Sequence, residues 1–238
     1  MKRRVGLVLV DDGLYAHRWA EPVLRDPRLD VAFIAALSPF SAPGFHPGPN
    51  ALVSRLRYYG LLETAKFGLR YLAEKRMLRA ALSPPGGDIN APEFIRNMAS
   101  MRPDLLLCAF SQKAGREFLA VPAVGALNLH FSMLPLGRGR EPTFYAMLTG
   151  QGAGVSCHWM LEDLDEGAVA AQRALDLSKT RTLHQAILAG CELAAGVAIE
   201  ALLSAAKPER HAGPLPPLNP WPAPRDVAAF RAKGLRFI

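Results

Sequence analysis

A chain of 238 residues, half of them apolar and 21% charged, can bury a substantial core and is too apolar to be disordered. The net charge of +7 favours anionic partners, although a solvated basic surface accounts for the same excess. Cys108, Cys157 and Cys191 are odd in number and far apart, with no CxxC pair, which argues against a disulfide framework and structural zinc and predicts free thiols in a reducing, cytoplasmic compartment.

The start, "MKRRVGLVLVDDG", is basic and then apolar, but the run is short and ends in two aspartates, so it reads as a first strand and not a targeting segment. Residues 16–25 suit a helix and "DVAFIAAL" (30–37) a second buried strand. "SPFSAPGFHPGPN" (38–50) is loop, followed by a helical segment over 51–82. In it Tyr58, Leu61, Leu62, Ala65, Leu69 and Leu72 recur at helical spacing and predict a buried apolar stripe, with Arg55, Lys66 and Arg70 on a solvated face. After the break "SPPGGDIN" come a helix over 91–101, the strand "DLLLCAF" (104–110), a helix over 112–120 and the strand "VGALNLHF" (124–131). A helix over 142–149 leads to the strand "GVSCHWML" (154–161), the acidic turn "EDLDEG" (162–167) and an extended stretch over 168–177. A helix over 180–204 closes the main unit, and no stretch is expected to span a bilayer. The pattern predicts an α/β, Rossmann-like, mostly parallel sheet with helices on both faces, over residues 1–206. Residues 38–85 form a loop and helical insertion, and 207–238 a proline-rich extension ending in a short helix near 225–233.

Ligands of such sheets bind beyond the carboxyl ends of the strands. Asn128 and His130 stand at one such end, and side chains two apart on a strand share a face, so both should point into one crevice while Leu127 and Leu129 pack behind. A hydrogen-bonded structural histidine is the bland reading of His130 alone. Asp165, in the acidic turn after a later strand, adds a carboxylate at the same end. An amide, an imidazole and a carboxylate together suit acyl transfer without a covalent intermediate.

The stretch from Pro103 to about residue 175 also resembles the formyltransferases that use 10-formyltetrahydrofolate, through Asn-x-His, then Ser-x-Leu-Pro, then Leu-Asp-x-Gly. That resemblance implies the formyltransferase fold and the catalytic trio Asn128, His130 and Asp165. It places the folate against the strand exit at Leu107, Ala109, Phe110, Gln112, Lys113 and Ala114 and against Glu162, Asp163 and Leu164, with no metal. Asp165 would keep His130 charged and receive the amine's proton. Ser132, Arg138 and Arg140 are the candidates on the acceptor side, although Ser132 also reads as a loop-shaping hydroxyl and the two arginines as a solvated loop. Phe131 stands where many members carry proline. The first strand ends in "VDDGLYAH", without the glycine- and serine-rich phosphate loop of the purine-pathway enzyme, which counts against glycinamide ribonucleotide. The chain ends without room for the tRNA enzyme's β-barrel, which counts against initiator tRNA. The expected acceptor is therefore a small-molecule amine, with an anionic one left open by the net charge: an amino sugar, a nucleotide sugar or another specialised metabolite. Neither a membrane nor nucleic acid is expected as partner, and a homodimer stays open.

The competing readings are few. A formyltetrahydrofolate hydrolase would use the same trio with water, and would carry a regulatory domain before the first strand. A metal-dependent hydrolase using His130, Cys157, His158 and Asp165 is awkward because Cys157 and His158, adjacent on a strand, face opposite ways, and His158 reads as a packing residue. A folate- or nucleotide-binding protein or an RNA module is left with "RLRYYG" (55–60) as its hint.

Overall fold

The computed structural model describes residues 2–38 and 59–238. The strands are β1 (Arg3–Val10), β2 (Leu29–Leu37), β3 (Leu105–Ala109), β4 (Gly125–His130), β5 (Gly154–Trp159) and β6 (Val169–Ala174). The helices, in chain order, are α1 (Ala16–Leu24), α2 (Leu61–Glu74), α3 (Pro92–Ser100), α4 (Arg116–Leu119), α5 (Pro142–Thr149), α6 (Leu183–Ser204) and α7 (Pro224–Ala232).

The strands form one sheet in the order β2-β1-β3-β4-β5-β6. The first four are mutually parallel, and β5 runs antiparallel to both of its neighbours. Continuous apolar runs appear because both faces of the sheet are covered. Leu7, Leu9, Leu107, Leu127, Leu129 and Cys157 pack with α1 and α6 on one face. Val8, Leu106, Cys108 and Ala126 pack with Phe94 of α3 and Phe118 of α4 on the other. The carboxyl ends of β1, β3 and β4 consequently open at one edge, where α/β sheets bind ligands.

Three sequence expectations change here. The stripe on α2 is not buried: Leu61, Leu62, Leu69 and Leu72 are 76%, 68%, 69% and 79% exposed. The helix is held instead by polar ties, Glu74 pairing with Arg18 at 3.3 Å and Arg70 reaching His184 Nε2 at 2.7 Å, and by Phe67 stacking on Tyr59. Periodicity reports an apolar face but not whether another element covers it. Arg55 and Tyr58 of that reading lie outside the described residues. Second, α6 is long and apolar enough, by length and composition, to cross a membrane, contrary to the sequence reading. Its Ala194, Ala198 and Leu202 are fully buried in the core, so its apolarity serves the sheet. Third, the helix expected over 112–120 shortens to Arg116–Leu119, because residues before Gly115 serve the strand exit.

The proline-rich segment is irregular but not loose. Ala168 N–H donates to Glu209 O and His211 N–H to Glu166 O, each at 2.8 Å, so the chain runs along the acidic turn. Further on, Asn219 N–H donates to Arg138 O at 2.7 Å, and Arg140 N–H to Asn219 O at 2.9 Å. Gly139 (φ 93°) permits this approach, since a Cβ there would stand 2.5 Å from Asn219 O. Then α7 docks Phe230 onto Phe144 of α5, with ring centroids 4.7 Å apart, beside Leu183 and Phe237.

Candidate active site

At the carboxyl edge of the sheet lies a cleft of about 360 Å³. That volume is in the range of small-molecule sites. Asn128, His130 and Asp165 all line it, and so does His158. Strand pairing explains the meeting. In the antiparallel register of β4 and β5, Asn128 stands opposite His158 and His130 opposite Ser156, so these side chains share a face. Leu127 and Leu129 take the other face with Cys157, which therefore cannot join His158 as a ligand. Burial pushes the Cys157 thiol far above its usual range.

The hydrogen bonds determine the protonation of this group. His158 is 1% exposed, and its Nδ1–H donates to Trp159 O at 2.9 Å. Its Nε2 must then accept, and Asn128 Nδ2–H donates to it at 3.2 Å. Desolvation lowers the His158 pKa to about 4, and the His130 charge adds to that; Asp165 Oδ1, 3.5 Å away, opposes the shift without reversing it. The imidazole is neutral at pH 7. Asn128 is thereby oriented: one N–H is held by His158, the second remains, and Oδ1 is buried without a partner. A buried acceptor without a partner is costly. His130 Nε2–H donates to Gly137 O at 3.0 Å.

Asp165 adopts a left-handed conformation (φ 53°) in the acidic turn, and its Oδ2 accepts from Gly139 N–H at 2.8 Å. The carboxylate therefore contacts His158 and the loop. The expected direct contact with His130 is not formed, because the turn brings Asp165 against β5 and the 137–140 loop.

Of the nine residues assigned to the folate side, Ala109, Phe110, Gln112, Ala114, Asp163 and Leu164 line the cleft. Leu107 does not: strand alternation turns it into the α6 face of the core. Lys113 and Glu162 are exposed outside the lining, Glu162 pairing with Arg116 at 2.7 Å. The Gln112 side chain is committed to the 87–89 loop, donating to Gly87 O at 2.6 Å and accepting from Ile89 N–H at 3.3 Å.

The acceptor-side assignments need two corrections. Ser132 is fully buried, and its Oγ donates to Leu136 O at 2.9 Å, so it shapes the loop and faces no ligand. Arg138 is 5% exposed and donates to the carbonyls of Asp165, Leu164 and Pro216 at 3.0, 2.8 and 2.7 Å. It is the internal clamp of the acidic turn, and its donors are not available to an acceptor. Arg140 does line the cleft, with its guanidinium 5.3 Å from the Trp221 ring.

The sequence reading missed His158, Asp12, Tyr15, Glu141 and Trp221, all of which line the cleft. His158 became visible only with the register of β5 on β4. Asp12 carried a signal, since it follows β1 at the ligand-binding edge. Glu141, left-handed (φ 45°) before α5, has its carboxyl pKa raised by burial against the opposing pull of Arg140.

Comparison with known proteins gives a consistent result. The model of the family described as "Formyl transferase" matches residues 64–202. A methionyl-tRNA formyltransferase of Moorella thermoacetica is 32% identical over 164 residues, covering 62% of this chain and 53% of its own length, so the chain spans about half of that relative. Among solved structures, glycinamide ribonucleotide transformylase 1 of Geobacillus kaustophilus matches with TM-score 0.58 at 16% identity, over 86% of this chain and all of its own. A sugar N-formyltransferase of a Shewanella species matches with TM-score 0.57 at 14% identity, over 91% of this chain and 76% of its own. At these identities the structural matches establish a shared fold.

Proposed function

Because the chain belongs to the formyl transferase family, we infer that it moves the formyl group of 10-formyltetrahydrofolate to the amine of a small-molecule acceptor, with Asn128, His130 and Asp165 as the reacting constellation. The observation that carries this reading is the meeting of Asn128, His130 and Asp165 in the lining of one cleft at the carboxyl ends of the strands. Such a group offers an acceptor to an attacking N–H and a donor to a carbonyl oxygen, which is what amine-to-formyl transfer requires. The folate fits the cleft lining on the side of Ala109, Phe110, Ala114 and Leu164, where apolar surface and strand-exit backbone suit a flat ring.

When bound, 10-formyltetrahydrofolate supplies a formyl carbon on a nitrogen able to leave as a neutral amine. Asn128 Nδ2–H and a ring N–H of His130 donate to the formyl oxygen as negative charge develops there. The Asp165 carboxylate accepts an N–H of the acceptor amine, whose lone pair then faces the formyl carbon. A new N–C bond forms, the bond from the carbon to N10 breaks, and the amine's surplus proton passes by way of Asp165 to the departing nitrogen. His158, neutral and buried, holds the Asn128 amide in orientation.

A screen of small amines with 10-formyltetrahydrofolate, following tetrahydrofolate release and the formylated amine, tests this reading. Amine-dependent release supports it. Formate release independent of any amine would replace it with hydrolysis.

A further inference from the structure

At the end of β1, Asp12 Oδ1 accepts from the backbone N–H groups of Leu14, Tyr15 and Ala16 at 2.7, 2.6 and 3.4 Å. Leu14 and Tyr15 lead into α1, and Ala16 is its first residue. Left free, the start of a helix behind a parallel strand is a ready anion site. Here the chain's own carboxylate fills it, and Asp12 lines the cleft that holds Asn128 and His130. A phosphate would have to displace Asp12 from its amides and then lie beside its charge.

The neighbouring Tyr15 also lines the cleft, and its hydroxyl is oriented from behind. Arg70 of α2 lies 2.7 Å from His184 Nε2. Arginine can only donate, so Nε2 accepts and His184 carries its proton on Nδ1. That Nδ1–H donates to the Tyr15 oxygen at 2.8 Å, which leaves the phenolic O–H free to donate elsewhere. A carboxylate acceptor and an oriented O–H donor, three positions apart in the chain, match the two needs of an alcohol. The surrounding charge agrees: among the described residues lining the cleft, Asp12, Glu141, Asp163 and Asp165 stand against Arg140. The site is locally acidic in a chain of net charge +7.

We propose that Asp12 and Tyr15 make the acceptor end of the cleft selective for a phosphate-free amine bearing a hydroxyl group close to the reacting nitrogen, as in an amino alcohol or amino sugar. This assignment takes the formyltransferase reading as its premise. It departs from an anionic acceptor, because Arg140 is the one arginine among the described lining residues and Arg138 is engaged internally.

Two measurements separate the proposal from its premise. In the first, inorganic phosphate is titrated calorimetrically into the wild-type protein, Asp12→Ser and Asp12→Asn. Asp12→Ser, which uncovers the amides, should bind phosphate at least about tenfold more tightly than wild type. Asp12→Asn, whose amide oxygen keeps the turn, should gain less. Adventitious binding to the basic surface is common to all three and cancels. Equal phosphate affinity in wild type and Asp12→Ser would overturn the proposal, and so would tight phosphate binding by wild type at this site. If Asp12→Ser does not fold, a gain in Asp12→Asn over wild type supports it, and its absence overturns it. In the second, matched pairs (glucosamine and glucosamine 6-phosphate, ethanolamine and phosphoethanolamine) are compared in the transfer assay. The phosphate-free member should be preferred, and Tyr15→Phe should raise its KM on the order of tenfold while leaving kcat within about twofold. Preference for the phosphate esters overturns the proposal. Transfer to no amine, alongside a phosphate gain in Asp12→Ser, would sink the transferase reading while the blocked anion site stands.

Discussion

Asn128 Nδ2–H donates to His158 Nε2 across the β4–β5 pair at 3.2 Å, so a histidine that never needs to touch a ligand determines which way the amide faces. The proton on His158 is placed by the Trp159 carbonyl, its neutrality by burial. One backbone acceptor thus sets the orientation of the Asn128 amide in the wall of the cleft.

That buried imidazole makes stability depend on pH. Its folded pKa of about 4 lies below the ordinary 6.5, so the unfolded chain binds more protons between these values. The contribution should be complete above pH 6.5 and fall as pH drops towards 4, by something on the order of 3 kcal/mol at the acid end. Urea unfolding between pH 7.5 and 4.5 should show this slope, and His158→Gln should flatten it; equal slopes in both proteins would contradict the assignment.

His130→Ala and Asp165→Asn should each lower turnover by about 10²–10³ or more. Both side chains border the cleft and not the apolar core, so melting temperatures should stay within a few degrees of wild type. Tetrahydrofolate release, read beside circular dichroism melts, gives both numbers.

Arg138 should behave in the opposite way. Truncating it to alanine leaves the Leu164, Asp165 and Pro216 carbonyls without their donor in a buried setting. A loss of roughly 2–4 kcal/mol is expected, with proteolytic sensitivity appearing near the acidic turn. Arg138→Lys should rescue little, because an ammonium cannot span the carbonyls that the planar guanidinium reaches. Limited proteolysis with denaturant titration checks both variants.

The exposed leucines of α2 provide a control on the fold. Replacing Leu62, Leu69 and Leu72 singly with glutamine should change stability by no more than about 0.5 kcal/mol each. Losses of 2 kcal/mol or more, of the size seen for core truncations, would mean that another surface covers this helix. Arg70→Ala, on the same helix, should instead perturb the Tyr15–His184 pair.

The sequence by itself determined the α/β class, the strand and helix order and the pairing of Asn128 with His130, because period-two and period-3.6 patterns are local. Motif spacing added Asp165. Tertiary structure alone decided what depends on register and return path. His158 entered the site because β5 pairs antiparallel with β4 in one register, and adjacent residues in sequence say nothing about a cross-strand partner. Arg138 turned inward because Leu164, Asp165 and Pro216, distant along the chain, present their carbonyls to it. The leucines of α2 stayed exposed because amphipathic spacing marks a face without supplying its neighbour. Net charge is silent for a similar reason: a sum over the chain carries no positions, whereas Asp12, Glu141, Asp163 and Asp165 gather where the strands end.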